Sequence, residues 1–317
     1  MKEAPILSLN GLTAGYGAQP AVRDVSFTLE RGEILCLVGE SGCGKSTVLK
    51  AVMSTPEITV SAGSVCLEGA DLTALPRKER LSRSRRTMGL VSQHPGASFD
   101  PIRSYRKQFA ETLKSHGKYD RSAFEEQVRT VFAKLELRDW KRVLDACPYA
   151  LSGGMNQRVA LALSLLLEQK LLLCDEPTSA LDATIQLQVA RELRRLREEE
   201  GISQIVVTHN LALAHFLADR IGVMYAGRLV EYGSAREVLS RPRHPYTRSL
   251  MAAIPRLGGD IPYGLPGQPP HTGPAEKGCE FADRCPCASA PCREKVYSPE
   301  RAGPEHFAAC CREGGEA

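Results

Sequence analysis

GESGCGKST, residues Gly39 to Thr47, follows the apolar run ILCLV (Ile34 to Val38) and opens into KSTVLKAVM (Lys45 to Met53). A strand buried on both faces, a glycine-rich turn and a helix in that order fit G-x-x-x-x-G-K-[ST] together with the flanks the pattern requires. The glycines let the backbone curl so that its N–H groups point inward at phosphate oxygens, and the positive end of the helix adds to the attraction. The expected nucleotide contacts are Gly39, Ser41, Gly42, Cys43, Gly44, Lys45, Ser46 and Thr47. Lys45 is placed to reach the β- and γ-phosphates and Ser46 to ligate Mg²⁺.

The pattern on either side of this loop sets the fold class. VRDVSFTLE (Val22 to Glu30) alternates with Val25, Phe27 and Leu29 on one side, as in a half-buried antiparallel strand. LLLCD (Leu171 to Asp175), IVVTH (Ile205 to His209) and IGVMY (Ile221 to Tyr225) are short apolar runs separated by helical stretches. Buried strands alternating with helices make an α/β protein with a parallel sheet. From about Pro95 to Ala150 helix formers such as AFEEQVRTVFAKLEL replace the apolar strands, which predicts an inserted helical subdomain. Residues 255–278 are dense in Pro and Gly and read as a connector.

Composition narrows the function classes. With 43% hydrophobic and 25% charged residues, the 317-residue chain can bury a sizeable core. A net charge of +4 is too small to argue for nucleic acid or an anionic membrane surface. The basic run RKERLSRSRR (Arg77 to Arg86) has no interleaved aromatic residues for stacking bases and reads as a solvated face. The N-terminus lacks the apolar core of a signal peptide, and the longest apolar run, VALALSLLL (Val159 to Leu167), is half a bilayer span. A cytosolic location follows, where eleven cysteines suit a core or metal ligands better than disulfides.

A site that hydrolyses a magnesium nucleotide needs a second carboxylate strand, and LLLCDEP supplies it. Asp175 would hold Mg²⁺ through water and Glu176 would orient or deprotonate the attacking water. LSGGMNQR (Leu151 to Arg158) is a second helix N-terminus able to bind an anion. With these motifs the chain resembles the ATP-binding subunits of ABC transporters over nearly its whole length.

The resemblance implies an ABC-type nucleotide-binding domain over 1–254, with a mixed sheet, an antiparallel β subdomain and a helical subdomain at about 95–165. It implies two ATPase subunits meeting head to tail, so that Ser152, Gly153, Gly154 and Gln157 serve the partner's ATP. Tyr16 matches the aromatic that stacks on adenine, Gln93 the residue that senses Mg²⁺ and water, Asp182 in SALD the loop at the dimer seam, and His209 the γ-phosphate contact. Mg²⁺ would be held through Ser46, Gln93 and Asp175, and catalysis would rest on Glu176, His209 and Gln93.

RPRHPYTRSLMAAIP (Arg241 to Pro255) and GCEFADRC resemble the C-terminal extension of the oligopeptide, dipeptide and nickel import group. In its peptide importers a region of similar pattern binds a [4Fe-4S] cluster, which maps onto Cys279, Cys285, Cys292 and Cys310 within a Cys-rich appendage at 255–317. Independently, four thiolates in a region poor in large apolar residues offer a soft cage for an Fe–S cluster or for zinc. Spacings of five, six and seventeen intervening residues, with no C-x-x-C, favour the cluster. Zinc and unligated thiols stay open, and Cys287 and Cys311 lie outside the pattern.

The expected function is ATP hydrolysis energising a peptide importer at the cytoplasmic face of the cell membrane. The partners would be a second, related ATPase subunit, two permease subunits and, indirectly, an extracytoplasmic solute-binding protein, with no nucleic acid. A nickel or metal-chelate importer and an ABC ATPase outside transport are the alternatives.

Overall fold

The structure, a computed structural model, describes residues 4–179, 183–254 and 277–310, together with positions 265, 267, 268 and 270. Asp182, Cys311 and most of the 255–278 stretch lie outside the described residues. The first elements are β1 (Leu7–Tyr16), β2 (Gln19–Leu29), β3 (Ile34–Val38), α1 (Lys45–Met53), β4 (Ile58–Leu67), β5 (Ala70–Asp71), α2 (Arg77–Thr87) and β6 (Met88–Val91). Four helices follow, α3 (Tyr105–Ser115), α4 (Phe124–Lys134), α5 (Trp140–Asp145) and α6 (Gly153–Leu166). Then come β7 (Leu171–Asp175), α7 (Ala183–Glu200), β8 (Ser203–Thr208), α8 (Leu211–Leu217), β9 (Arg220–Tyr225), β10 (Arg228–Ser234), α9 (Ala235–Ser240) and α10 (Pro245–Ala252). The C-terminal segment adds α11 (Ala290–Glu294), β11 (Glu300–Gly303) and β12 (His306–Ala308).

Two compact units divide the chain, one formed by Met1–Arg80 with Val207–Ala317 and the other by Leu81–Val206. In the first, β2, β1, β4 and β5 form an antiparallel sheet in that order. The alternation in β2 buries Val25, Phe27 and Leu29 and exposes Asp24, Ser26 and Thr28, as expected of a strand with one face in the core. All five residues of β3 are buried, and β3 pairs in parallel with β9. Asp219, just before β9, fixes that register: its Oδ2 accepts from the Ile34 N–H at 2.8 Å and its own N–H donates to the Ile34 carbonyl at 2.9 Å.

The antiparallel partner of β9 is β10, which then pairs with β12, and β12 with β11. Residues 300–308, between Cys292 and Cys310, are therefore built into a sheet. RAGPEHFAA carries too few apolar residues to announce two strands. Backbone pairing with Glu231, Tyr232 and Gly233 supplies what the pattern lacks, and a Cβ on Gly233 would meet the Glu305 carbonyl at 2.5 Å.

In the second unit β6 and β7 pair in parallel, and α3 to α6 fill the predicted helical stretch. Phe109, Val128 and Phe132 are fully buried among these helices, so the apolar positions at helical spacing in AFEEQVRTVFAKLEL face a core. No helix among the described residues is long and apolar enough to cross a membrane.

Candidate functional site

The glycine-rich loop leaves β3 and enters α1 at Gly44, which caps the helix in the left-handed region with φ 99°. A Cβ there would lie 2.6 Å from Val22 Cγ1, and one on Gly39 would lie 2.2 Å from the Met224 carbonyl oxygen. Glycine is required at both positions because the loop is pressed against β2 and the end of β9. The Gly227 N–H donates to the Cys43 carbonyl at 3.0 Å, and the Arg23 N–H to the Gly227 carbonyl at 2.9 Å, so the β9–β10 turn braces the loop.

Lys45 is 5% exposed. Its Nζ donates to the carbonyls of Gly39 and Glu40, both at 2.9 Å, and lies 3.6 Å from Cys43 Sγ. The ammonium is thus held inside the loop by two of its carbonyls, and a phosphate entering the loop would compete with them for it. Burial pushes the Cys43 thiol up, with Lys45 opposing the shift, which keeps this side chain a packing residue and not a nucleophile. Tyr16, 48% exposed at the end of β1, accepts a hydrogen bond from Lys50 Nζ of α1 at 3.4 Å, and the same Nζ lies over its ring at 5.5 Å from the centroid. His209 is exposed directly after β8, and Asn210 caps α8 by accepting from the Ala212 and Leu213 N–H groups.

In the second unit, Asp175 ends β7 and Glu176 follows in the left-handed region, φ 47°. The turn is closed by Ser179, whose N–H and hydroxyl both donate to the Glu176 carbonyl, at 3.3 and 3.2 Å. A left-handed non-glycine residue is costly, and a carboxylate held there is aimed by its surroundings and not by preference. Ser152 caps α6 by accepting from the Met155 N–H at 3.3 Å. Ser152 and Gly153 are exposed, whereas Gln157 is 1% exposed.

Gln93 is exposed, just ahead of a 3-10 turn at Pro95–Ser98. That turn lies against α6: a Cβ on Gly96 would meet Asn156 Nδ2 at 2.9 Å. Asn156 is held in turn by the Tyr105 hydroxyl, which donates to Oδ1 at 2.5 Å, and by donating to the Pro148 carbonyl at 3.0 Å. Gln93 and the start of α6 therefore share one support. The first unit holds Tyr16, the 39–47 loop and His209, and the second Gln93, the start of α6, Asp175 and Glu176.

Cys279, Cys285, Cys287, Cys292 and Cys310 all line one small cavity of about 20 Å³, with His244, Pro245, Phe281 and Tyr297 among its other walls. Burial pushes the Cys279 thiol up to about 11, with smaller contributions from Glu280, Cys292 and Cys285. A thiol raised in this way stays protonated, so a metal ion binding there would have to displace the proton. Among the described residues, no group of three or more His, Cys, Asp or Glu side chains is gathered as for a single metal ion.

Sequence reasoning missed the polar groups beneath this cavity. Glu231 is fully buried and accepts from the Arg243 N–H at 2.7 Å, the His244 N–H at 3.0 Å and His306 Nε2 at 2.6 Å. His244 Nδ1 accepts from the Tyr246 N–H at 3.1 Å, and burial lowers its pKa to about 4. The one signal available was the His-Pro-Tyr triplet, which reads locally as a helix start with Pro in its first turn.

A family profile described as "ABC transporter" matches residues 22–179, and one described as "Oligopeptide/dipeptide transporter, C-terminal region" matches residues 230–292. The oligopeptide transport ATP-binding protein OppD of Haemophilus influenzae is 38% identical over 297 residues, covering 91% of this chain and 92% of the relative. A Brucella ovis protein named for peptide import and ATP binding is 36% identical over 328 residues, 99% of each chain. Among solved structures, cbiO1 of Clostridium perfringens, part of an ABC transporter complex, gives a TM-score of 0.66 at 25% identity over 75% of this chain and 92% of that one. A dimeric ATP-binding cassette in a post-hydrolysis state, bound to ADP and Pi, gives 0.64 at 26% identity over 73% and 99%. With identity above a third sustained along the whole length, the chain belongs to the ATP-hydrolysing subunits of ABC transporters, in the oligopeptide/dipeptide transporter family.

Proposed function

We propose that this chain is the ATPase subunit of an importer of oligopeptides or dipeptides, docked on the cytoplasmic face of the cell membrane through two permease subunits. The observation that carries the peptide reading is the match to the oligopeptide/dipeptide C-terminal region over residues 230–292. The names of the relatives, one for peptide import and one for oligopeptide transport, support it.

In this reading residues 39–47 cradle the phosphates, with Lys45 on the β- and γ-phosphates and Tyr16 under the adenine. Ser46, Asp175 and Gln93 would hold Mg²⁺. Glu176 takes or orients the proton of the attacking water and His209 touches the γ-phosphate. A related second ATPase subunit presents its own nucleotide to Ser152, Gly153 and Gly154, of which Ser152 and Gly153 are exposed and open to a partner. Gln157, buried in its own unit, would support that helix end from within. Asp182 belongs to the same proposed seam.

Cys279, Cys285, Cys292 and Cys310 are proposed to hold a [4Fe-4S] cluster, with zinc as the alternative. Their soft donor set supports this, and the cavity they share, about 20 Å³, would have to open to admit the cluster. Either metal would cross-link the C-terminal segment.

The test is reconstitution with the permease and an extracytoplasmic binding protein, reading phosphate release. Peptide-loaded binding protein should stimulate hydrolysis severalfold. Stimulation by a nickel chelate and not by peptide would overturn the peptide assignment while leaving the ATPase intact.

A further inference from the structure

Among the described residues, Arg284 ties the C-terminal segment to the glycine-rich loop. Arg284, directly before Cys285, sends Nη1 to Glu40 Oε2 at 2.7 Å and Nη2 to Glu40 Oε1 at 3.0 Å, across 244 residues of sequence. Its Nη1 also donates to the Tyr225 hydroxyl at 3.2 Å, and its side chain is 6% exposed. A two-pronged guanidinium–carboxylate pair with little access to water fixes both partners in angle as well as distance. These hydrogen bonds, chiefly those to Glu40, raise the Arg284 pKa above the usual guanidinium value.

Glu40 is the second residue of the loop and is held at three points. Its carboxylate takes the Arg284 fork, its N–H donates to the Tyr246 hydroxyl at 2.9 Å, and its carbonyl accepts from Lys45 Nζ at 2.9 Å. Behind Arg284, the Phe281 ring meets Tyr225 edge-on at 5.2 Å between centroids and lies 5.4 Å from Tyr246. The Arg284 N–H closes on the Phe281 carbonyl at 3.0 Å within a turn bounded by Cys279 and Cys285, two walls of the thiol cavity. The turn that carries two of the thiols thus also carries the group that aims the loop.

We infer that Arg284 is a positioning residue for the nucleotide site: it neutralises and orients Glu40, and so sets how tightly the 39–47 loop holds phosphate. This rests on the reading of that loop as the nucleotide site. Without Arg284, an unpaired carboxylate would stand beside the phosphates, and the loop would lose one of the three restraints on Glu40. Both effects weaken binding and leave the hydrolytic groups of the other unit untouched.

The experiment measures the Kd of MgADP and MgATP for the full chain by calorimetry, with a melting curve for each variant. Arg284→Ala should weaken both nucleotides about tenfold, and the Arg284→Ala/Glu40→Gln double variant should recover most of that loss because the repelling charge is gone. Arg284→Lys, which keeps the charge and loses the fork, should fall between wild type and Arg284→Ala. In the assembled transporter, KM for MgATP should rise in Arg284→Ala with kcat within about twofold of wild type.

A lower melting temperature with unchanged Kd would reduce Arg284 to a structural tie and overturn the proposal. A double variant as weak as Arg284→Ala would overturn the route through Glu40. Should Arg284→Ala fail to fold, Arg284→Lys decides: affinity equal to wild type would sink the proposal. A wild-type chain that binds no MgADP would instead refute the nucleotide-site reading itself.

Discussion

Glu176 sits at φ 47° with its carbonyl taken by Ser179, a conformation that costs a side-chain-bearing residue roughly 1–2 kcal/mol. Its position directly after a buried strand was legible, since LLLCDEP announces a carboxylate at a strand end; the left-handed backbone was not, because nothing in Asp-Glu-Pro demands it. Arg284 and Glu40 were hidden for another reason: they lie 244 residues apart, and neither flank records the other. His244 offers a test by pH. Its Nδ1 accepts a backbone N–H, which requires an unprotonated nitrogen, and burial holds its pKa at about 4 against Glu231, which opposes the shift. Between the unfolded value near 6.5 and about 4 the unfolded chain takes up a proton that the native chain refuses. The His244 contribution is therefore fully present above pH 6.5 and falls by about 3 kcal/mol as pH drops toward 4. Denaturant unfolding across this range should show that slope in wild type and a flatter one in His244→Asn, whose amide oxygen can replace the cap. Equal slopes would remove His244 from the account.

At the scale of elements, β3 and α1 were read from ILCLV and KSTVLKAVM because burial on both faces and the G-x-x-x-x-G-K-S junction leave one arrangement. A helical stretch was read from helix formers such as those of α4, though its division into separate helices ending at Ser115, Lys134 and Asp145 was not. The strands β11 and β12 escaped because each is four residues or fewer and gains its place by backbone pairing with β10. The junction between β3 and α1 also makes a prediction. A Cβ on Gly39 has 2.2 Å to the Met224 carbonyl, a backbone atom that cannot swing away. Gly39→Ala should cost about 3 kcal/mol in denaturant unfolding and abolish measurable MgADP binding. An alanine variant that binds normally would show that the loop is not pressed on β9 as described.

At the scale of the molecule, the family and the α/β architecture were legible because several short motifs occur in order along the chain. The thiol cavity was legible only as spacing, since Cys279 and Cys310 are brought together by turns and pairings that spacing does not encode. Chain purified without oxygen should carry about four irons and four sulfides if the proposed cluster is present, and both should be lost in Cys279→Ser or Cys292→Ser. Zinc without sulfide would make the segment a structural metal module, and neither metal would refute both readings. The central claim, that this chain hydrolyses ATP with Glu176 at the reacting water, is tested most directly by phosphate release from MgATP in the assembled transporter, wild type against Glu176→Gln. The expected result is hydrolysis by wild type, with turnover falling roughly 10²- to 10⁴-fold in the variant while MgATP stays bound. Undiminished release by Glu176→Gln, or no hydrolysis by wild type, would contradict it.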